Sequence, residues 1–223
     1  MRIVDLAVLD LAGTTVRDDG VVEDAFVDAL ASVGAGPDTH GFAERLAHLR
    51  TTMGRSKLEV FREMLGDDAV ARRANDAFEA AYGVRLTSGV VRPIDGAEDA
   101  IAALRAEGIL VCLTTGFSPA TLAALLDALR WHDRADLALA PGPGVRGRPH
   151  PDLVLSAVLR LGIDDVRRVA VAGDTASDLV AGTRAGAAVV AGVLTGAHDR
   201  AALEAAPHTH VLESIVDFPA LLR

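Results

Sequence analysis

Five short segments of the chain are almost entirely apolar, and small or polar residues follow each of them. They cover residues 3–10, 109–115, 135–140, 168–174 and 187–194. Their apolar residues run on continuously instead of alternating with polar ones, which is typical of strands buried on both faces. The pattern therefore predicts five strands of a parallel β-sheet.

Segments with helical periodicity lie between most of these strands. They span residues 96–108, 118–130, 150–162 and 176–186. Strands that alternate with helices through short loops are typical of a doubly wound α/β fold. In such a sheet, ligands bind beyond the carboxyl ends of the strands, so we expect functional residues there.

A long insertion interrupts this alternation after the first strand. Residues 18–92 contain no strand-like segment, and they show four helical patterns, at residues 21–34, 39–54, 56–66 and 67–83. We therefore predict a core domain formed by residues 1–17 and 93–223, and an all-helical cap formed by residues 18–92. The polar segment RDDG at residues 17–20 is expected to be a hinge. A cap inserted here can close over a site at the sheet edge.

Composition and charge narrow the range of partners. The formal net charge of the 223 residues is −9, which argues against nucleic acid and against a polybasic membrane-binding surface. No apolar stretch reaches the ~18–20 residues that a membrane span needs. Cys112 is the only cysteine, which excludes an internal disulfide and fits a reducing compartment. We therefore expect a cytoplasmic protein.

Polar residues with a common chemical use stand at or after the predicted strand ends. They are Asp10, Thr115, Arg148, Asp174 and Asp178. Taken singly, each has an ordinary structural interpretation, such as a helix cap, a turn residue or a surface charge. Because the strand ends of a parallel sheet meet at one edge, the set as a whole favours a phosphoryl-transfer site.

Each member of this set has a role in such chemistry. Asp10 can attack a phosphoryl group and form an aspartyl-phosphate, and with Asp174 it can share a hard divalent cation such as Mg²⁺. Thr115 can hold the oxygens that are not attacked, and Arg148 can neutralise charge that would repel an anionic nucleophile. Asp178 could orient a metal-bound water or hold the segment that precedes it.

Two motifs resemble those of the haloacid dehalogenase superfamily: DLAGTT at residues 10–15, and GDTASD at residues 173–178 with the segment that follows it. The resemblance covers essentially the whole chain. It implies a Rossmann-like core with a helical cap, and Mg²⁺ bound by Asp10, the Ala12 carbonyl, Asp174 and Asp178. Phosphatases of the superfamily usually carry a second aspartate two residues after the nucleophile, as the general acid. This chain has Ala12 there.

Three features of the sequence resemble those of one group in the superfamily, which comprises phosphonoacetaldehyde hydrolase and its relatives. They are Ala12 itself, the arginine of Gly147-Arg148-Pro149, and the lysine of MGRSK, Met53 to Lys57. In that group, the lysine forms a Schiff base with the substrate aldehyde, and the iminium accepts electrons when the carbon–phosphorus bond breaks. The resemblance therefore implies this role for Lys57, the only lysine of the chain. It also implies substrate contacts from Thr14, Met53, Gly116 and Phe117.

Three departures from that group keep alternatives open. Val60 stands where the group has a proton-shuttling histidine, and Phe117 stands where it has a tyrosine. The segment after AGTTV lacks the Y-G-C pattern of the group and reads RDDG. The first hypothesis is a hydrolase of a 2-oxoalkylphosphonate. The second is a phosphatase or phosphomutase acting on a small phosphorylated metabolite, against which Ala12 counts. The third is a phosphate-sensing module without turnover, against which the intact acidic set counts.

Two further expectations concern the ends of the molecule and its assembly. His208-Thr209-His210 has no acidic neighbours in sequence, so we interpret it as a tail and not as a metal site. The family resemblance implies a homodimer formed through the cap.

Overall fold

The computed structural model describes residues 4–222. A parallel sheet of six strands forms the centre of the core, in the order β3-β2-β1-β4-β5-β6. The strands are β1 (Leu6–Asp10), β2 (Leu110–Thr114), β3 (Leu137–Leu139), β4 (Val169–Gly173), β5 (Val189–Val193) and β6 (His210–Leu212). The expected parallel α/β sheet is therefore confirmed. The predicted first strand begins at Ile3, which lies outside the described residues.

Four helices lie between β1 and the rest of the core, inside the interval 18–92. They are α1 (Val21–Ser32), α2 (Phe42–Thr51), α3 (Lys57–Leu65) and α4 (Asp68–Thr87). The remaining helices flank or follow the strands of the sheet. They are α5 (Ala97–Ala106), α6 (Pro119–Leu129), α7 (Asp152–Leu161), α8 (Ala176–Ala185), α9 (Arg200–Glu204) and α10 (Phe218–Leu221).

The expectation of five strands is wrong, because the sheet has a sixth strand that starts at one of the residues interpreted as a tail. His210 begins β6 and pairs in parallel with Ala191 of β5. β6 has three residues at the edge of the sheet, and its first side chain is exposed. An edge strand this short has no buried apolar run by which the sequence could mark it.

Aromatic side chains pack the cap together and tie it to the core. The rings of Phe26 and Phe61 stack with centroids 4.1 Å apart, and Phe78 packs against both. Phe117 follows β2 in the core, yet its ring centroid lies 4.6 Å from that of Tyr82 in α4. Burying each such ring contributes roughly 1.5–3 kcal/mol, so this cluster holds the cap over the strand ends.

No helix in the described part of the chain combines the length and the apolar character that crossing a membrane requires.

Candidate active site

A small cavity lies between the carboxyl ends of the strands and the cap. Its volume is about 20 Å³, which is room for about one water molecule. Residues of both the core and the cap line it. Those that the sequence predicts for the site are Asp10, Ala12, Met53, Lys57, Thr115, Gly116, Phe117, Arg148 and Asp174.

Asp10 is held by the sheet and by one arginine. It is the last residue of β1, it lies in register with Thr114 of β2, and it is 4% exposed. Its Oδ1 lies 2.6 Å from Nη1 of Arg148, and the same guanidinium nitrogen pairs with Asp178. A buried carboxylate needs such a partner, and this one leaves Asp10 fixed at the cavity wall.

Asp178 lies behind the cavity and organises its wall. Its Oδ2 accepts hydrogen bonds from the backbone N–H of Thr175, at 3.1 Å, and from the Thr175 hydroxyl, at 2.5 Å. The Thr175 hydroxyl oxygen in turn accepts from the Asp178 N–H, at 3.4 Å, and this bond together with the one from the Thr175 N–H forms a capping box at the start of α8. Because its other oxygen pairs with Arg148, Asp178 holds both the helix start and the arginine. Its expected role as a direct metal ligand stays a prediction.

Backbone atoms of neighbouring loops surround the carboxylate of Asp174. Its Oδ2 accepts a hydrogen bond from the Ala197 N–H at 2.7 Å, and its Oδ1 accepts one from the Thr14 hydroxyl at 3.2 Å. Thr14 thus lies behind the acid. A Cβ atom on Gly13 or Gly196 would overlap this carboxylate, so only glycine allows so close an approach. Burial, together with the charge of Asp10, raises the pKa of Asp174 to about 7.

The donor set of the cavity fits Mg²⁺. This ion prefers oxygen ligands, and it is usually bound by one or two carboxylates with waters and substrate oxygens completing the shell. Asp10, Asp174 and the Ala12 carbonyl are such donors. Asp10 and Asp174 are buried next to each other, and a bound cation would offset the repulsion between their charges. Among residues 4–222, no three His, Cys, Asp or Glu side chains form a metal cluster. The backbone, water and substrate can supply further ligands beside the predicted one, Asp178.

Lys57 brings an amine from the cap to the cavity. It is the first residue of α3, and its backbone N–H donates to the Gly116 carbonyl across the cap–core boundary, at 3.3 Å. The side chain is 6% exposed, and Nζ lies 5.5 Å from the centroid of the Phe117 ring. The ring face is the electronegative part of an aromatic side chain, so it can accommodate the amine in its charged form.

The surroundings of this amine disfavour its protonated form. Burial, together with the nearby charge of Arg148, lowers the pKa of Lys57 to about 8. The carboxylates of Asp18, Asp10 and Asp174 oppose this shift, but they act through space and not through hydrogen bonds. The amine can therefore exist in its neutral, nucleophilic form near neutral pH.

The cap loop that precedes Lys57 fits closely against the core. A Cβ atom on Gly116 would overlap the carbonyl oxygen of Arg55, and one on Gly147 would lie 3.0 Å from Ser56 Cβ. Gly54 packs in the same way against Thr175. The absence of side chains at these glycines allows the cap loop and the core to approach closely, and this contact closes the cavity from the cap side.

Asp18 is a cavity residue that the sequence analysis does not find. It lines the cavity beside Lys57, and its Oδ1 accepts a hydrogen bond from the Val22 N–H at 2.9 Å, in the first turn of α1. In sequence it belongs to RDDG, which is typical of an exposed hinge. Val60, in contrast, is 1% exposed inside the cap core, so it supplies no chemistry to the site.

Comparison with known proteins identifies the family. Residues 4–186 match the model of the family described as "haloacid dehalogenase-like hydrolase". "Probable phosphatase IndB" of Dickeya dadantii is 30% identical over 207 residues, which cover 90% of this chain and 86% of that protein. "Phosphonoacetaldehyde hydrolase" of Bordetella pertussis is 28% identical over 259 aligned positions, which cover 98% of this chain and 91% of that protein.

Solved structures share the fold of the whole chain. A phosphonoacetaldehyde hydrolase-like protein from Oleispira antarctica superposes with a TM-score of 0.82 at 24% identity, over 99% of this chain and 91% of that one. A predicted phosphoglycolate phosphatase from Haemophilus somnus has a TM-score of 0.82 at 18% identity, over 100% of both chains. At these identities, the likeness establishes the architecture and not the substrate.

Proposed function

Because this chain belongs to the haloacid dehalogenase-like hydrolases, we propose that it is a Mg²⁺-dependent hydrolase of a 2-oxoalkylphosphonate such as phosphonoacetaldehyde. One observation carries this proposal. The amine of Lys57 shares a closed cavity with Asp10, at a site where Ala12 offers no general acid. The relatives named phosphonoacetaldehyde hydrolase, at 28% identity, support it.

Lys57 prepares the substrate for bond cleavage. Its neutral amine adds to the substrate carbonyl, and loss of water leaves an iminium whose carbon is adjacent to the carbon bonded to phosphorus. A carbanion cannot leave phosphorus unaided, whereas the iminium accepts the electron pair and becomes an enamine. The cap thus provides the assistance that a general acid at position 12 would give to an ester oxygen.

Asp10 performs the transfer. Its carboxylate oxygen bonds to phosphorus as the phosphorus–carbon bond breaks, which gives an aspartyl-phosphate and the enamine. Arg148, 2.6 Å from Asp10, offsets negative charge on the nucleophile and on the incoming phosphonate. Water then hydrolyses the acyl phosphate, and the enamine is protonated at carbon and hydrolysed, which frees Lys57.

Asp10, Asp174 and the Ala12 carbonyl would hold Mg²⁺. When bound, the ion supplies positive charge that lets an anionic nucleophile approach an anionic phosphonate.

A second candidate function is a phosphatase, and the relative named probable phosphatase IndB favours it. In that case Lys57 would only bind the anionic substrate. Ala12 counts against this reading, because an alkoxide leaving group needs a proton that Ala12 cannot give.

The decisive experiment combines a phosphate-release assay with chemical trapping. We expect the purified enzyme with Mg²⁺ to release phosphate from phosphonoacetaldehyde in preference to a panel of phosphomonoesters. Borohydride added during turnover should reduce the imine to a stable amine. Because the chain has one lysine, a lysine adduct found by mass spectrometry maps to Lys57.

Lys57→Arg is the matched variant for this experiment. It keeps the positive charge, but a guanidinium cannot serve as the amine, so we expect loss of carbon–phosphorus cleavage and of the adduct. If Lys57→Arg still releases phosphate at the wild-type rate, or if phosphomonoesters are the preferred substrates, the phosphatase function replaces the one proposed.

A further inference from the structure

Asp18 stands at the boundary between the closed cavity and an open cleft. The cleft, of about 420 Å³, lies between the hinge, the first turns of the cap and the loop at residues 195–197. Asp18, Met53 and Ala197 line both spaces. Asp18 is therefore the titratable group that faces Lys57 on one side and the cleft on the other.

The chemistry proposed for Lys57 moves protons inside a closed space. The ammonium must lose a proton before it attacks, and the oxygen of the resulting carbinolamine must gain protons before it leaves as water. A group with a free oxygen near the amine, and with access to the outside, can serve both needs.

The other acids of the cavity and the nearby His198 have other partners or another role. Asp174 accepts hydrogen bonds on both oxygens, and Asp10 is the nucleophile. His198 Nδ1 accepts from the Ala176 N–H, and its Nε2 lies 3.4 Å from the Arg50 carbonyl oxygen. Within the described residues, Asp18 uses only Oδ1, in its bond with the Val22 N–H. Its second oxygen makes no protein hydrogen bond there.

We propose that Asp18 is the proton-transfer residue of the Lys57 half of the site. The inference rests on the function proposed above. The Asp18 carboxylate takes a proton from the Lys57 ammonium, directly or through one water. The amine nitrogen then bonds to the carbonyl carbon, and Asp18 returns the proton to the oxygen.

The second half of the reaction regenerates the Asp18 carboxylate. Asp18 takes the extra proton from the nitrogen of the adduct and delivers it to the hydroxyl group. The carbon–oxygen bond breaks, water leaves, and the nitrogen lone pair forms the carbon–nitrogen double bond. The net change is ammonium plus carbonyl to iminium plus water, and the Asp18 carboxylate is regenerated. Burial raises the pKa of Asp18, which helps it to hold the proton between these steps.

Asp18→Asn tests this role with little disturbance of the fold. The amide oxygen can still accept from the Val22 N–H, so α1 should begin as before. We expect the rate at which borohydride traps the Lys57 adduct, in a single turnover with phosphonoacetaldehyde, to fall by about 10²-fold or more. Asp18→Glu, which retains a carboxylic acid, should recover part of that rate.

Asp19→Asn is the matched control, because Asp19 is a neighbouring acid that is exposed and does not line the closed cavity. It should trap at the wild-type rate. If Asp18→Asn forms the adduct as fast as wild type, Asp18 is not the proton-transfer residue, while the proposed function stands. If Asp18→Glu forms the adduct as slowly as Asp18→Asn, a carboxylic acid at this position does not restore the rate, and the inference also fails. If wild type itself forms no adduct, the proposed function fails and this inference with it.

Discussion

Burying a lysine opposes its protonation, because the ammonium loses its hydration. At Lys57 this effect and the charge of Arg148 outweigh three carboxylates, so the pKa falls to about 8. An exposed lysine, with a pKa near ~10.4, is neutral in only ~0.04% of molecules at pH 7. With a pKa of about 8, the neutral form reaches about a tenth. The burial of this one side chain thus raises the fraction of neutral, nucleophilic amine at pH 7 by more than two orders of magnitude.

The pH dependence of the reaction should report this amine. Because only the neutral amine attacks the carbonyl, we expect kcat/KM for phosphonoacetaldehyde to rise with pH and to level off above about 8. The measurement is phosphate release under subsaturating substrate from about pH 6 to about pH 10. Acetyl phosphate, whose cleavage needs no imine, should lack this rising limb. A profile that still climbs at the pKa of an exposed lysine would contradict the assignment.

At the level of residues, the sequence predicts most of the acids and cations of the site but not all. Asp10, Thr115 and Asp174 follow from one rule, since the ends of parallel strands meet at one edge. Asp18 does not follow, because a hinge aspartate is marked only by polarity, and its approach to Lys57 depends on how the cap docks. The pattern T-x-x-D at Thr175–Asp178 does signal the capping box that the structure shows.

At the level of elements, the contact between the cap loop and the core depends on small residues. Gly116 follows β2, and its missing side chain lets the Arg55 carbonyl approach the backbone. The Lys57 N–H then reaches the Gly116 carbonyl at 3.3 Å. The start of α3, and with it the amine, is therefore placed by this contact.

Gly116→Ala should move the cap loop away from the core. The added methyl group would overlap the Arg55 carbonyl, and overpacking of this kind typically costs about 1–3 kcal/mol. We expect a folded protein whose kcat/KM falls by about 10- to 100-fold, since a displacement of about 1 Å at a reacting group has such effects. Lys57 should also react faster with trinitrobenzenesulfonate, which reports its exposure.

Gly142→Ala is the control for this prediction. Gly142 lies in another loop at the same sheet edge, and an added Cβ would lie 3.8 Å from Pro119 Cγ, which is an ordinary van der Waals contact. Activity and lysine reactivity should match wild type. Equal behaviour of the two variants would show that the contact at Gly116 does not place the amine.

Long elements are better predicted than short ones. The helical patterns in the cap match α1–α4, and α1, α3 and α4 each carry an apolar face whose rings form the aromatic cluster. β6 is missed because three residues at a sheet edge bury too little surface to leave a pattern. The packing of Phe117 against the cap could not be predicted from the sequence either, since it depends on a contact between residues far apart in the chain.

At the level of the whole molecule, the closed form concentrates charge where core and cap meet. Among the described residues, three carboxylates, of Asp10, Asp18 and Asp174, and two cationic side chains, of Lys57 and Arg148, line the cavity. This excess of negative charge suits a divalent cation, and it implies that the cap closes most stably when the cation is present. The homodimer expected through the cap stays a prediction.

Mg²⁺ should therefore stabilise the fold itself. The pKa of Asp174 is raised from 3.8 to about 7, so the folded chain binds more protons than the unfolded chain between these values. Its contribution to stability consequently decreases as pH rises through that window, and above about 7 the ionised pair of Asp174 and Asp10 is unfavourable. A cation that binds only the folded state reverses this loss.

We expect thermal unfolding at about pH 7.5 to shift upward with Mg²⁺, where Asp174 is mostly ionised. At a concentration about 100 times Kd, the stabilisation is about 2.7 kcal/mol. For a chain of this length, that corresponds to roughly 5–10 °C in Tm. Asp174→Asn should lose the shift, and without Mg²⁺ it should be at least as stable as wild type, because the amide removes a buried charge. Sodium chloride at matched ionic strength separates screening from binding. If sodium chloride produces the same shift, or if Asp174→Asn retains the response to Mg²⁺, the ion does not bind between Asp10 and Asp174.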